Sequence, residues 1–295
     1  MRKLGFSANE RVVILHADDL GLCQATLSAW SELVDFGLVS SASIMVPCPW
    51  FPAAAAWCRS QPGGDLGVHL TLTCEYRFYR WRALSTCNPA SGLLDEEGYL
   101  PLNPLILQQQ ADPQAVELEL RAQLTRARAA GVQVTHIDTH QLSVWHHRLV
   151  NAYVELAVRH HLPLFFLRLD ADRWQALGRR IGLPMSDKTG AYLEQLGHEL
   201  EEQGIPLFDH ALMLPLDQPT ERVAQARQAL ASLPPGLTHF VLHPAIDTPE
   251  LRAITPDWPS RVADYQAFTS HELQAAVRQA GVQVIGYRDL KVLLS

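Results

Sequence analysis

The sequence predicts an α/β fold: a TIM-like (β/α) barrel, regular or distorted, that forms a single domain over residues 1–295. This prediction depends on the order, composition and number of the apolar runs. Short apolar runs alternate with longer amphipathic stretches along the whole chain. Most short runs lack strict alternation, which is typical of parallel strands covered on both faces. About eight such runs fit a closed barrel, and a doubly wound open sheet is the alternative.

The predicted strands are apolar runs bounded by Gly, Pro or polar residues. They cover residues 12–17, 40–46, 65–70, 132–137, 164–169, 206–208, 238–242 and 282–287. Strands joined through helices are expected to be parallel, because each helix returns the chain to the same end of the sheet. Two further segments, 73–107 and 170–204, are interpreted as insertions on this scaffold.

The helices are predicted from the residues that punctuate their ends. One helix covers residues 24–36 and is stopped by Gly37. A second covers residues 112–130, with an Asp at its N-cap position and a Pro in its first turn. The last long helix is predicted to begin at Thr269, because Glu272 would complete a capping box with it.

The charge balance excludes several classes of protein. The chain has 24 Lys and Arg against 31 Asp and Glu, a formal net charge of −7. A protein that binds nucleic acid or an anionic membrane needs basic residues to neutralise phosphates. We therefore expect no nucleic-acid partner, and a small neutral or cationic molecule fits better. No uncharged run approaches the ~20 apolar residues of a membrane span.

The N-terminal segment and the cysteines indicate a cytoplasmic protein. Ser7, Asn9, Glu10 and Arg11 interrupt the first apolar stretch, so no signal peptide is predicted. The 5 cysteines lack a C-x-x-C pair and are predicted to be free thiols that are buried or half-buried. A homodimer is the default expectation for assembly, because it is the commonest symmetric state.

Acidic and imidazole side chains stand at the C-terminal ends of several predicted strands. They are Asp18 and Asp19 after the first strand, His69 in the third, Asp138 and His140 after the fourth, and His243 after the seventh. In a parallel barrel these ends share one rim, where the active sites of this architecture lie. We therefore predict that these residues converge although they are far apart in the sequence.

Two imidazoles and one carboxylate can hold a divalent metal ion and leave positions open for water and substrate. His69, His140 and one of Asp18 or Asp19 form such a set. Side chains alternate along a strand, so the two aspartates point the same way only if one lies beyond the regular strand. The aspartate that does not bind the metal would serve as a general base.

Three other features bear on the predicted site. Asp138 either accepts a hydrogen bond from a ligating histidine or forms a turn. His243 arrives from another strand and would protonate a leaving group, whereas His16 and His136 are predicted to be hydrogen-bonded core residues. Aromatic and basic residues also follow the His69 strand. The segment 74–85 would supply a platform for sugar rings or would pin a long loop, and its candidate residues are Tyr76, Tyr79, Trp81 and Arg82.

The motifs DDLG, GVHLTLT, THIDTH and LHPA, followed by R-x-x-DYQAFTSHEL and IGYRDL, resemble the YdjC/ChbG family of carbohydrate deacetylases, which includes the HpnK group. The resemblance spans nearly the whole chain in the family's order. It implies a distorted β/α barrel, a divalent metal ion, Mg²⁺ or Zn²⁺, and hydrolysis of an N-acetyl group from an amino sugar. Carried over by motif, Asp19, His69 and His140 would bind the metal, Asp18 would be the base, and His243 matches the His-Pro motif.

The sequence departs from the family pattern after His140. Family members with deacetylase activity have further histidines there, where this chain has residues 141–144 (QLSV). A role in chitooligosaccharide breakdown therefore does not carry over with the metal site. Two alternatives stay open: a sugar-binding barrel without turnover, and an Fe(II) oxygenase, which uses the same two-histidine, one-carboxylate set.

Overall fold

The computed structural model describes residues 2–61 and 63–294. The strands are β1 (Arg11–Leu20), β2 (Ser41–Ile44), β3 (Leu66–Leu70), β4 (Val134–Thr139), β5 (His210–Met213), β6 (Gly236–Leu242) and β7 (Gln283–Val284). The α-helices are α1 (Gln24–Phe36), α2 (Phe51–Ser60), α3 (Pro104–Gln110), α4 (Pro113–Ala129), α5 (Val150–Arg159), α6 (Ala171–Arg180), α7 (Asp187–Glu202), α8 (Arg222–Ala231), α9 (Pro249–Ile254), α10 (Trp258–Phe268), α11 (His271–Gln279) and α12 (Tyr287–Lys291). Single 3-10 turns cover Arg2–Leu4, Pro89–Ser91, His140–Leu142 and Val292–Leu294.

The strands form one parallel sheet in the order β4-β3-β2-β1-β6-β5, and β7 pairs with β1. Two isolated parallel bridges join its outer strands. Ile137 of β4 pairs with Leu164, and Leu167 pairs with Phe208, which leads into β5. The sheet therefore closes through residues 164–167, and the prediction of a distorted TIM-like barrel is confirmed. The domain count stays a prediction.

The barrel is distorted in two places. The predicted strand 164–169 is present only as the two bridges. β7 is short and pairs with Val12 and Val13, near the start of β1, whereas β2 pairs with β1 only from His16 onwards. β2 and β7 thus divide one side of β1 between them. The described residues form seven strands, and the bridges at Leu164 and Leu167 stand in the place of the predicted strand 164–169, so the prediction of about eight strands holds only if this bridged segment is counted.

Several predicted boundaries shift for local reasons. The predicted strand 206–208 is replaced by β5, which begins at His210. The predicted strand 282–287 ends early because Gly286 is the N-cap of α12. The last long helix has Ser270 as its N-cap, not Thr269. The Thr269 hydroxyl donates to the carbonyl of Tyr265 at 2.8 Å, so it belongs to the end of α10.

Other predicted features agree with the structure. α1 ends at Gly37, whose φ of 76° is left-handed and whose N–H donates to the Leu33 carbonyl. The side chain of Asp112 accepts hydrogen bonds from two backbone N–H groups at the start of α4. All 5 cysteines are free thiols as predicted, but Cys87 is exposed, so the predicted burial is wrong for this residue. Among the described residues, no helix combines the length and the apolar character that a membrane span requires.

The core explains why the site lies where it does. Residues Val12, Val13, Ile14 and Leu15 of β1 have 0% exposure, because β2, β6 and β7 flank this strand and helices cover the sheet. All pairs are parallel, so the C-terminal ends of β1, β3, β4 and β6 open on the same rim. In β1 the buried apolar residues 12–15 anchor the strand in the core, and Asp18 and Asp19 follow them at this rim.

Candidate metal centre

The three predicted metal ligands meet at the rim. The Nδ1 atom of His140 lies 3.3 Å from Oδ1 of Asp19 and 3.3 Å from Nε2 of His69. Oδ1 of Asp19 lies 3.5 Å from Nε2 of His69. The three atoms therefore form a nearly equilateral triangle, and each belongs to a buried residue. Ligands about 2.1 Å from one ion at tetrahedral angles are roughly 3.4 Å apart, so the spacing fits a divalent metal.

An irregularity at the end of β1 brings both aspartates to this rim. The pairing of β1 with β2 shifts between Ala17 and Leu20, and Asp19 has a left-handed φ of 64°. Aspartate tolerates this conformation better than most residues do. The regular alternation of side chains is interrupted there, so Asp18 and Asp19 both face the histidines.

Arg261 holds the predicted ligand Asp19 in place, and the site predicted from the sequence did not include Arg261. Its guanidinium donates to Oδ2 of Asp19 at 2.7 Å and is itself buried. Oδ1 of Asp19 makes no hydrogen bond within the described part of the chain and points toward the two imidazoles. Burial alone would raise the pKa of Asp19, but Arg261 and His140 outweigh it and hold that pKa well below its usual range.

Asp138 holds His69. Its Oδ1 atom lies 2.9 Å from Nδ1 of His69, so the hydrogen bond predicted for Asp138 is present. This contact leaves Nε2 of His69 directed at Asp19. Burial lowers the pKa of His69, but the carboxylates of Asp138 and Asp18 more than offset it and raise the pKa to about 9.

Glu75 orients His140 as Asp138 orients His69, and the site predicted from the sequence did not include Glu75. Its Oε2 atom lies 2.9 Å from Nε2 of His140, which turns Nδ1 toward the other ligands. Each histidine thus has one nitrogen fixed by a carboxylate and one directed into the site, the usual support of metal-bound imidazoles. The available signal was an acidic residue in the loop that directly follows the His69 strand.

The charge of the cluster also fits a cation. The carboxylates within 3.8 Å of a nitrogen of His69 or His140 belong to Asp18, Asp19, Glu75 and Asp138. The guanidinium of Arg261 offsets one of these charges. Buried carboxylates are costly unless cations balance them. Either protonated histidines or a divalent ion can supply the missing positive charge.

The predicted base and acid lie beside the three ligands. Asp18 is 13% exposed, and its Oδ2 atom lies 3.8 Å from Nε2 of His69 and 3.9 Å from Nε2 of His243. His243 is 14% exposed and follows the end of β6. Its backbone N–H donates to Asp264 at 3.0 Å. The structure thus brings together all the predicted strand-end residues.

The aromatic loop residues anchor the loop rather than line an open platform. Trp81 is 3% exposed, and its Nε1–H donates to the Thr73 carbonyl. Tyr76 is 6% exposed, and its hydroxyl lies 3.3 Å from a guanidinium nitrogen of Arg261. The half-buried Tyr79 donates to the Leu22 carbonyl at 2.7 Å. These contacts correspond to the second predicted role, in which the aromatic residues pin the loop.

Arg82, the fourth candidate residue of that loop, and the neighbouring Phe78 lie on its surface. The guanidinium of Arg82 stacks over the ring of Tyr99, 4.9 Å from its centroid. Phe78 is 89% exposed and is covered on one side by Arg77. Sugar binding by Tyr76, Tyr79, Trp81 and Arg82 stays a prediction, and for the two most buried of these residues it would require the loop to move.

The predicted core histidines are buried. Both ring nitrogens of His16 have polar partners, namely Ser41, Ser43 and Asp138. His136 is satisfied only in part: its Nδ1 atom contacts the Thr135 hydroxyl, whereas its Nε2 atom has no partner among the described residues. Its ring stacks on Tyr287 at 3.7 Å.

The fold and site together define a β/α-barrel protein with a rim cluster suited to a divalent ion. The sequence pattern of the YdjC-like protein family matches residues 12–279, and the chain belongs to this family. A carbohydrate deacetylase of Thermus thermophilus is 36% identical over 280 residues, which cover 95% of this chain and 94% of that protein.

The chain is also similar to two further proteins along nearly its whole length. A carbohydrate deacetylase of Thermoanaerobacter pseudethanolicus is 23% identical over 281 residues, which cover 95% of this chain and 100% of that protein. A crystal structure of an Enterococcus faecalis protein has a TM-score of 0.74 at 23% identity and covers 95% of this chain and 99% of the other. At this identity the structural likeness supports the barrel fold alone.

Proposed function

We propose that the protein is a metal-dependent hydrolase that removes an N-acetyl group from an amino sugar or an N-acetylated oligosaccharide. The observation that carries the proposal is the carboxylate of Asp18, which lies beside the triangle formed by ligand atoms of Asp19, His69 and His140 and is not part of it. A general base next to a metal site is what amide hydrolysis needs. Relatives named carbohydrate deacetylases, one of them 36% identical, support the substrate class.

The donor set favours Zn²⁺ over Mg²⁺. Asp19 supplies an oxygen, and His69 and His140 supply nitrogens. Zn²⁺ accepts such mixed ligands, whereas Mg²⁺ prefers oxygen donors. A divalent ion bound there would polarise the acetamide carbonyl and lower the pKa of a water molecule.

Asp18 takes a proton from the attacking water. Burial, together with the neighbouring carboxylates of Asp138 and Asp19, raises the pKa of Asp18 well above its usual range. A carboxylate with a raised pKa is a stronger base than one in water. Its partial exposure leaves it open to the rim, where the substrate would arrive.

His243 delivers a proton to the departing amine as the C–N bond breaks, and the products are acetate and a free amine. Burial lowers the pKa of His243 to about 4, so its imidazole is neutral before the reaction and must first gain a proton. Asp18 lies 3.9 Å away and is the source we assign. The two residues therefore act in sequence on one proton.

The test is acetate release from a panel of N-acetylated sugars under anaerobic conditions, with the chain loaded with Zn²⁺ or Mg²⁺. We expect release that a chelator stops and that the same metal restores. A requirement for oxygen and iron would favour the oxygenase alternative. A melting temperature that rises with sugar while no acetate is released would favour a binding protein. Cytoplasmic location and homodimeric assembly stay predictions.

A further inference from the structure

His16 has no role in the chemistry described above, yet it lies directly beneath the site. It belongs to β1, precedes Asp18 by two positions, and has 0% exposure. Alternation along a strand places residues 16 and 18 on the same face, here the inside of the barrel. Its imidazole therefore lies between the base and the core.

The ring makes one contact with each of two carboxylates through the same nitrogen. Nε2 lies 2.8 Å from Oδ2 of Asp138 and 3.3 Å from Oδ1 of Asp18. Nδ1 lies 2.8 Å from the hydroxyl of Ser41. An ionised carboxylate only accepts hydrogen bonds, so Nε2 carries the hydrogen and Nδ1 accepts from Ser41. Burial lowers the pKa of His16 to about 4, which leaves the neutral ring with a single N–H.

Asp138 connects this N–H to the ligand His69. Its Oδ2 atom accepts from His16 and, at 2.8 Å, from the hydroxyl of Ser43. With Oδ2 occupied, Oδ1 is left for Nδ1–H of His69 at 2.9 Å. The rotation of the carboxylate is thereby fixed, and the orientation of the His69 ring is fixed with it.

The approach of His16 to Asp18 matters for a different reason than its hydrogen bond to Asp138. Its Oδ1 atom is buried and has no hydrogen-bond partner among the described residues. The N–H of His16, 3.3 Å away, is directed mainly at Asp138 but also faces this oxygen. The neutral imidazole therefore lies between two carboxylates: its N–H bonds to Asp138, and its Nε2 atom lies 3.3 Å from Oδ1 of Asp18.

We propose that His16 is a positioning residue of this site: its Nε2–H fixes Asp138, and through it the ligand His69, and also restrains the base Asp18. The proposal rests on the proposed function, because it assigns His16 to the same metal site. It predicts effects on metal affinity and on turnover that loss of an ordinary core residue would not produce.

The experiment compares variants that keep and remove the donor. His16→Leu and His16→Met remove it, and the flexible Met side chain guards against a packing failure. His16→Gln keeps an N–H donor near the Nε2 position. The matched control is His239→Gln on β6, because His239 is 1% exposed and packs 4.9 Å from the His16 ring but bonds to Tyr287.

We expect the Leu and Met variants to bind Zn²⁺ about 10-fold more weakly, at the lower end of the loss found for partners that contact a metal-bound histidine directly. At saturating Zn²⁺ their kcat should fall while KM is unchanged. His16→Gln should recover most of both quantities, and His239→Gln should change neither. Equal effects of His16→Leu and His239→Gln on Zn²⁺ affinity would overturn the proposal.

A measurement without metal separates this proposal from the proposed function. Proton NMR of the metal-free protein should show downfield N–H resonances for His16 and His69. His16→Leu or His16→Met should remove the first and shift the second, and an unshifted His69 resonance would contradict the proposal. If the wild-type protein binds no Zn²⁺ or releases no acetate, the proposed function fails, and the NMR result still decides whether His16 positions Asp138 and His69.

Discussion

A single backbone angle decides what the end of β1 can do. With regular alternation, Asp18 and Asp19 would face opposite sides of the sheet. The left-handed φ of 64° at Asp19 and the shifted pairing with β2 direct both carboxylates to one rim. One aspartate can then contribute to the ligand triangle while its neighbour stays free. The sequence showed that two adjacent aspartates cannot face one rim from a regular strand, but only the backbone geometry shows that an irregularity at Asp19 allows it.

The buried pair of Asp19 and Arg261 gives a prediction about stability. Arg261→Met leaves Asp19 buried without its cation, so the free energy of unfolding of the metal-free protein should fall by about 3–5 kcal/mol. Urea unfolding with and without Zn²⁺ measures this, and the loss should be smaller with Zn²⁺. The control is Arg227→Met, whose ion pair with Glu272 is exposed and should matter little. Equal losses in the two variants would contradict this account.

Proton release on metal binding is a second prediction at this scale. The pKa of His69 is raised to about 9, so this imidazole is protonated in the metal-free protein at neutral pH. A metal ion binds only the deprotonated nitrogen, so binding must displace that proton. The pKa of His140 is raised as well, by the carboxylates of Glu75 and Asp19. Apparent Zn²⁺ affinity should therefore rise with pH through the pKa of His69. Calorimetry in buffers of different ionisation enthalpy measures the release, and a pH-independent affinity would refute the prediction.

Among the helices and strands, the residues at helix ends predicted the helices better than apolar composition predicted the strands. Gly37 and Asp112 fix helix ends because their conformations and hydrogen bonds are local. The segment 164–169 has a strand's composition, yet it contributes only two bridges. Strand pairing depends on distant neighbours, so a run of apolar residues does not reveal it.

Packing between β3 and β4 gives a prediction for Gly67. A Cβ atom at this position would lie 2.4 Å from Nε2 of His136. That ring is stacked on Tyr287 and cannot easily move. Gly67→Ala should lower the free energy of unfolding by about 1–3 kcal/mol. Gly63→Ala, where the same atom would meet open space, should be nearly neutral in the same urea titration. An unchanged free energy of unfolding in Gly67→Ala would show that the His136 ring moves aside.

At the scale of the whole molecule, closure of the barrel assembles the site. Asp19 and Arg261 are 242 positions apart in the sequence and meet at 2.7 Å. Parallel topology alone predicted that the strand-end residues converge, and they do. The topology did not predict that Arg261 and Glu75 belong to the site. Arg261 lies on a helix and Glu75 in an insertion, and the rule about strand ends applies to neither.

The same closure predicts that metal binding stabilises the whole fold. The three proposed ligands come from β1, from β3 and from the residue that follows β4. Zn²⁺ at 100 times its dissociation constant adds about 2.7 kcal/mol, which for a chain of this length raises the melting temperature by roughly 4 °C. Calorimetric scans measure the shift. His140→Ala should abolish it, and a shift that persists in this variant would place the ion elsewhere.

Asp18→Asn, assayed for bound Zn²⁺ and for acetate release in the same preparation, distinguishes a general base from a metal ligand. If Asp18 is the base and not a ligand, the ion is retained at wild-type stoichiometry while turnover falls by about 10²- to 10⁴-fold. Unchanged turnover, or loss of the ion together with the activity, would contradict this assignment of Asp18.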